Sequence, residues 1–300
     1  MKIGVVIMLA ESRRLKLAPT FGEIRQMAQL SEELGFDSIW LYDHLLYREK
    51  GKTTGIWECW SILSALAAAT SRVELGTLVA CNSFRNPALL AKMAHTVDEI
   101  SAGRLVLGVG AGWNQPEYEA FGYPFDHRVD RFEEALQIIR PLLKEGRVDF
   151  SGEYYQARDC EITPRSPRPG GPPLLIGANG PRMLRLTAQY ADMWNVGYLS
   201  IPRSLDKMKG AMRKACKEVG RDPESLGFTY MISLAYPDLL GWKQEKKRGY
   251  LSGSVEEIAE ALAGYEARGA AELMFHLSPA TPEAYERLVQ AVDVYCKPRG

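Results

Sequence analysis

Residues 104–136, RLVLGVGAGWNQPEYEAFGYPFDHRVDRFEEAL, hold one complete unit of the fold: an apolar run, three glycines in five residues (Gly108, Gly110, Gly112), an aromatic turn and an amphipathic segment of helical period. A dinucleotide-binding fingerprint would need a glycine three places after Gly110 and a helix opening there; the chain has Trp113 and a loop instead. The glycines therefore mark the end of a strand, and the unit reads strand, loop, helix.

The same unit recurs on both sides of this stretch. Runs rich in Val, Ile and Leu predict strands at 2–8, 37–43, 73–80, 104–110, 173–179, 191–196, 226–235 and 271–277, each followed by a segment of helical period. Pro87 opens one helix; Asp126 is expected to cap the next, with Gly146 past its end; Ser252 or Ser254 starts a third. Eight strand-helix pairs predict an α/β chain folded as a closed (β/α)8 TIM barrel, one domain over 1–300. Periodicity does not show closure, so a doubly wound open sheet is the alternative. An irregular insertion is expected at about 147–172, where VDFSGEYYQ reads as a β-hairpin and TPRSPRPGGPP as an extended loop. A second break spans 237–254.

Composition limits the partners. The 300 residues are 46% hydrophobic and balance 37 basic against 37 acidic side chains, enough for a large core without a field favouring nucleic acid or an anionic membrane. Five scattered cysteines without a C-x-x-C pair argue against a disulfide framework, and four histidines without ligand spacing argue against a metal. Met1-Lys2 runs into an apolar stretch too short for a signal sequence, and no run approaches the roughly 18 residues that span a bilayer, so a cytoplasmic protein is expected.

In a barrel the loops after the strands converge on one mouth, which gathers Asp43 and His44 after strand two; Cys81, Asn82, Phe84 and Arg85 after strand three; Gly110, Gly112, Trp113 and Asn114 after strand four; Asn179 and Gly180 after strand five; and His276 and Ser278 after strand eight. Gly177, Ala178, Asn179 and Gly180 lead into a helix with Pro181 at its first position, a turn whose backbone N–H groups suit a phosphate or which merely needs glycine. His44 is placed to exchange a proton with a ligand, or is a packed histidine beside a capping Asp43. Gly110 and Gly112 would let a flat ring approach the backbone, with Trp113 as its wall, or the aromatics of this loop pack on one another.

Residues 57–139, from WECWSILSALAAATSRVELGTLVACNSFRNP through GAGWNQPEYEAFGYPFDHRVDRFEEALQII, resemble the bacterial luciferase-like family of flavin- and deazaflavin-dependent oxidoreductases, and the likeness extends over nearly the whole chain. Gly110, Gly112, Trp113, Asn114, Glu117, Phe121, Gly122, Arg128 and Glu133 match the family pattern in order and spacing. The resemblance implies a barrel with an insertion, a homodimer, and a phosphorylated cofactor whose ring sits in the mouth. It implies catalytic and ring-contacting roles for Asp43 and His44, cofactor contacts from Cys81, Asn82, Gly110 and Gly112, and a ring-supporting bulge, often a non-proline cis peptide, at Leu78 and Val79. It also implies a phosphate site at Gly177, Ala178, Asn179 and Gly180, and a substrate pocket at Trp113 and Asn114. The wording of GAGWNQPEYEAFGYPF is most similar to members using coenzyme F420, whose deazaflavin moves hydride; reduced FMN with oxygen, fed by a separate flavin reductase, is the alternative. Sugar-phosphate dehydrogenases of the deazaflavin branch carry a glutamate where this chain has Trp113, which implies a less polar small-molecule substrate. A non-catalytic flavin-binding barrel and a metal-dependent hydrolase are the readings from other classes.

Overall fold

The computed structural model describes residues 1–12, 16–241 and 249–297. Eight parallel strands, β1 (Lys2–Val6), β2 (Ser38–Leu41), β3 (Glu74–Thr77), β4 (Leu105–Gly110), β5 (Leu174–Gly177), β6 (Met193–Leu199), β7 (Gly227–Ala235) and β8 (Glu272–Ser278), pair in chain order. The sheet closes on itself: β8 pairs β1 through Leu273↔Ile3, and β4 pairs β5 through Leu107↔Leu174. The open-sheet alternative is thereby excluded. Each expected strand is present, its ends within a few residues of those read from the sequence.

The principal helices alternate with the strands: α1 (Phe21–Glu33), α2 (Cys59–Ala69), α3 (Pro87–Ile100), α4 (Arg128–Lys144), α5 (Pro181–Tyr190), α6 (Leu205–Glu218), α7 (Val255–Glu266) and α8 (Pro282–Cys296). Local chemistry sets their ends. Asn86 caps α3 ahead of Pro87, and Ser254 rather than Ser252 caps α7 in a reciprocal pair with Glu257. Asp126 does not cap α4. His127, at φ 50°, occupies that position, and Asp126 instead accepts from Arg131 at 3.3 Å through its carbonyl.

Strand pleating divides the core in two. On β1, β2, β4, β5, β7 and β8, Val6, Trp40, Val106, Leu175, Met231 and Met274 fill the barrel, while their neighbours Val5, Ile39, Leu105, Ile176, Ile232 and Phe275 pack under the helices. The floor is polar. Glu272 is buried and accepts from Trp40 Nε1 at 3.1 Å and from Ser38 Oγ; burial pushes its carboxyl up to about 7.

The insertion holds the expected hairpin, Arg147–Ser151 with Gln156–Glu161, then an extended run into β5. The Glu134 carboxylate of α4 fixes the hairpin turn by accepting from the backbone of Glu153, Tyr154 and Tyr155 at 2.7, 2.8 and 3.0 Å. A second hairpin, Leu46–Glu49 with Lys52–Gly55, follows β2 and has no counterpart in the sequence reading. The break after β7 begins with a short helix, Pro237–Leu240; residues 242–248 of that break lie outside the described residues.

Candidate active site

Asp43 and His44, two and three residues past the end of β2, find partners in different places. Asp43 turns toward the helices and is buried: its Oδ2 accepts from the Cys81 amide at 2.9 Å and from Arg85 Nη1 at 2.7 Å, and its Oδ1 accepts from Arg85 Nη2 at 3.1 Å. Burial pushes its carboxyl up from the usual aspartate range, and the Arg85 guanidinium opposes that. Arg85 also reaches Glu58, the N-cap of α2, at 2.6 Å, so the network ties the ends of β2 and β3 to α2.

His44 faces the mouth. Its Nδ1 lies 2.9 Å from Glu117 Oε1 and 3.2 Å from Oε2, and the same carboxylate accepts from the Leu45 amide at 2.9 Å. Glu117 is only 2% exposed and stands in the first turn of a short helix, Gln115–Phe121, inside the loop read from the sequence as irregular. Tyr47 lies 4.6 Å from the imidazole centroid, and Trp113 stands edge-on at 5.6 Å. Among the described residues Nε2 of His44 has no protein partner. A histidine bonded at Nδ1 to a carboxylate carries its proton there and turns the Nε2 lone pair outward, the arrangement of an acceptor or general base.

Trp113 is 65% exposed at the rim, whereas Asn114 is buried and donates to the Leu46 carbonyl at 3.0 Å, tying the β4 loop to the hairpin after β2. The glycines of β4 admit protein first. A Cβ on Gly110 would lie 2.9 Å from Val79 Cγ2, and one on Gly177 3.0 Å from the same atom. Gly112, at φ +77°, passes so close to Tyr118 Oη and Cys81 Sγ that no side chain fits. Tyr118 donates to the Ala111 carbonyl at 3.0 Å and stands 2.9 Å from Cys81 Sγ; burial pushes that thiol up to about 12, so it stays protonated. Arg128, stacked 4.0 Å over Phe125, donates to the Gly112 carbonyl at 2.7 Å. Of the loop's aromatic residues, Tyr118, Tyr123 and Phe125 form a small core with Phe84, whereas Trp113 and Phe121 stand exposed outside it.

The peptide between Leu78 and Val79 is cis and interrupts β3 before Ala80 and Cys81 rejoin the sheet beside β4. Asn82 is fully buried; its Nδ2 lies 3.4 Å from Tyr155 Oη, while its Oδ1 lacks a partner. At the end of β5 the Ala178 amide donates to the Asn195 carbonyl at 3.2 Å, and Gly180, at φ +84°, caps α5 without any side-chain hydrogen bond. Nothing stands within 4 Å of where a Gly180 Cβ would be, so the first turn of α5 is open.

Three contributors escaped the sequence reading. Glu117 and Arg128 figured there only as motif members, and their spacing from His44 and Gly112 gives no hint of contact. The third is Tyr42, whose Oη lies 2.8 Å from Nδ1 of His276, a residue the sequence reading did place at the mouth. Alternation along β2 and β8 is the signal that could have found it, since Trp40 and Met274, two residues earlier, both point inward. Among the described residues no group of three or more His, Cys, Asp or Glu is arranged to hold a metal, and no helix is long and apolar enough to cross a membrane.

Comparison with known proteins shows the family and the fold. Pyrimidine monooxygenase RutA of Shigella flexneri is 31% identical over 276 residues, 86% of this chain and 70% of its own length. The protein of that name from Escherichia coli O7:K1 is 30% identical, the match covering 80% of its length. Among solved structures, an F420-dependent secondary alcohol dehydrogenase superposes with a TM-score of 0.81 at 20% identity over 99% of both chains. EDTA monooxygenase EmoA from Chelativorans sp. BNC1 gives 0.81 at 14% identity, covering 98% of this chain and 93% of that one. At such identities the structural likeness is one of fold. The sequence profile of the luciferase-like monooxygenases matches residues 1–238. The chain therefore belongs to the luciferase-like monooxygenase family, as an oxidoreductase built on its barrel.

Proposed function

We propose that this protein is a monooxygenase that uses reduced FMN and dioxygen on a small planar heterocycle, with pyrimidines the first class to assay. The observation that carries the choice is the likeness to pyrimidine monooxygenase over 86% of the chain, at 31% identity, against 20% for the F420-dependent dehydrogenase. Hydride transfer with coenzyme F420 is the second reading, favoured by the wording of the β4 loop and by that fold neighbour.

The mouth fits a phosphorylated flavin on two structural grounds. The first turn of α5 offers amides with no side-chain cap beside the open space at Gly180, which suits a phosphate. The Leu78–Val79 bulge, with Val79 packed between Gly110 and Gly177, makes an apolar ledge for a ring, and Asn82 Oδ1 is an unpartnered acceptor on the same segment. A reduced flavin, when bound, supplies the electron pair that activates oxygen.

The chain's own residues then divide the work. Glu117 orients His44 so that Nε2 can take or return a proton at the substrate, and Trp113 and Tyr47 wall the rim and exclude water. Asp43 acts through position: with Arg85 it fixes the ends of β2 and β3. Cys81 likewise supports the ledge through Tyr118, and Asn114 holds the hairpin that carries Tyr47. A separate flavin reductase would deliver the reduced cofactor, and a homodimer is the expected assembly, checked by light scattering at micromolar concentration. The decisive experiment titrates the protein with FMN and with F420, reduced and oxidised, then follows oxygen uptake with uracil and a flavin reductase. Tight F420 binding with no oxygen uptake would overturn the first reading in favour of the second.

A further inference from the structure

Two histidines of the mouth are each bonded at Nδ1, and their supports differ in kind. Behind His44 stands a carboxylate, which can only accept from Nδ1–H when ionised. Behind His276 stands the Tyr42 phenol, 2.8 Å from Nδ1. A phenol is the better donor of that pair and an imidazole nitrogen the better acceptor, which favours Tyr42 O–H donating to Nδ1 and the ring proton on Nε2. Burial among apolar side chains also pulls the His276 pKa down, which keeps the ring neutral. The layer beneath it holds Met274, Met231 and Val6. Among the described residues Nε2 of His276 has no protein partner.

We propose that His276 is a neutral hydrogen-bond donor to a carbonyl oxygen of the ring bound in the mouth, with Tyr42 as the residue that fixes its tautomer. Together with His44, whose Nε2 accepts, the mouth then offers one donor and one acceptor. That pattern selects a cyclic amide or ureide, which shows both C=O and N–H, over an aromatic ring that shows neither. This assignment of substrate class rests on the functional reading above. The carbonyl belongs either to the substrate or to the flavin, and the two sources are separable by adding each alone.

The test reads the tautomer directly. Nitrogen-15 imidazole spectra of a chain with four histidines, assigned with His276→Asn, should show the Nε2–H form of His276 in the free protein. Tyr42→Phe should mix the tautomers without altering the circular dichroism. Uracil alone should shift the Nε2 signal if the substrate carbonyl is the acceptor, and FMN alone if the flavin's is. In turnover, His276→Gln, which keeps a donor near the Nε2 position, should hold KM for uracil within about threefold. His276→Asn, which reaches only the Nδ1 position, should raise KM about tenfold or more with a smaller change in kcat. A charged ring or an Nδ1–H tautomer in the free protein, or equal kinetics for Asn and Gln, overturns the proposal. If wild type binds neither FMN nor uracil, the functional reading fails instead, while the tautomer in the free protein still decides the role of Tyr42.

Discussion

Replacing Glu272 by Gln gives the sharpest test of the barrel floor. The carboxyl is buried under Trp40 and Ser38, and its pKa stands at about 7 against an ordinary 4.5. A group whose folded pKa is raised binds its proton more tightly in the folded state. Its stabilising contribution is therefore complete below pH 4.5, declines as pH rises, and is gone above about 7. A shift from 4.5 to about 7 corresponds to about 3 kcal/mol at about 1.4 kcal/mol per unit. Glu272→Gln keeps an oxygen to accept from Trp40 and Ser38 but cannot ionise. In urea denaturation the variant should match wild type near pH 4.5 and exceed it by about 3 kcal/mol at pH 8, with m unchanged. Comparing the two proteins at each pH cancels every other titrating group. A stability difference that stays flat from pH 4.5 to 8 would refute the reasoning and show that the floor admits enough water to solvate the charge.

Three further outcomes follow from the site. His44→Ala should lower kcat by about a hundredfold to ten-thousandfold, about 3 to 5 kcal/mol of barrier, while cofactor affinity stays within about tenfold; single-turnover rates unchanged across pH 5 to 9 would make the histidine structural. Arg85→Met leaves the buried Asp43 carboxylate without its cation and should destabilise the fold by about 3 to 5 kcal/mol, read as a lower urea midpoint, whereas Asp43→Asn in the same background should recover part of that loss. Gly180→Val forces a branched side chain into the left-handed region at the mouth of α5; calorimetry should show FMN weakened far more than riboflavin, and equal losses for both would mean that the turn holds no phosphate.

The sequence by itself determined the units. Hydrophobic runs and helical periods are set within about ten residues, so strands, helices, a hairpin within the 147–172 insertion and the proline and serine helix starts could be read locally. Asp126 shows the limit even there: it is a residue type that caps helices well, yet the backbone turn puts His127, which makes no side-chain capping bond, at that position. Closure was beyond local reading, because it rests on Leu107 meeting Leu174, and no periodicity reports a pairing between distant strands. The site divides the same way. Asp43 and His44 are adjacent in the chain and read as one pair, yet one is bonded to Arg85 and the other to Glu117. The partners made at the mouth, Glu117 for His44 and His276 for Tyr42, lie 73 and 234 residues along the chain. Barrel closure and register alone bring such groups within 3 Å, so the tertiary structure decided which nitrogen of each histidine is left to meet a ligand.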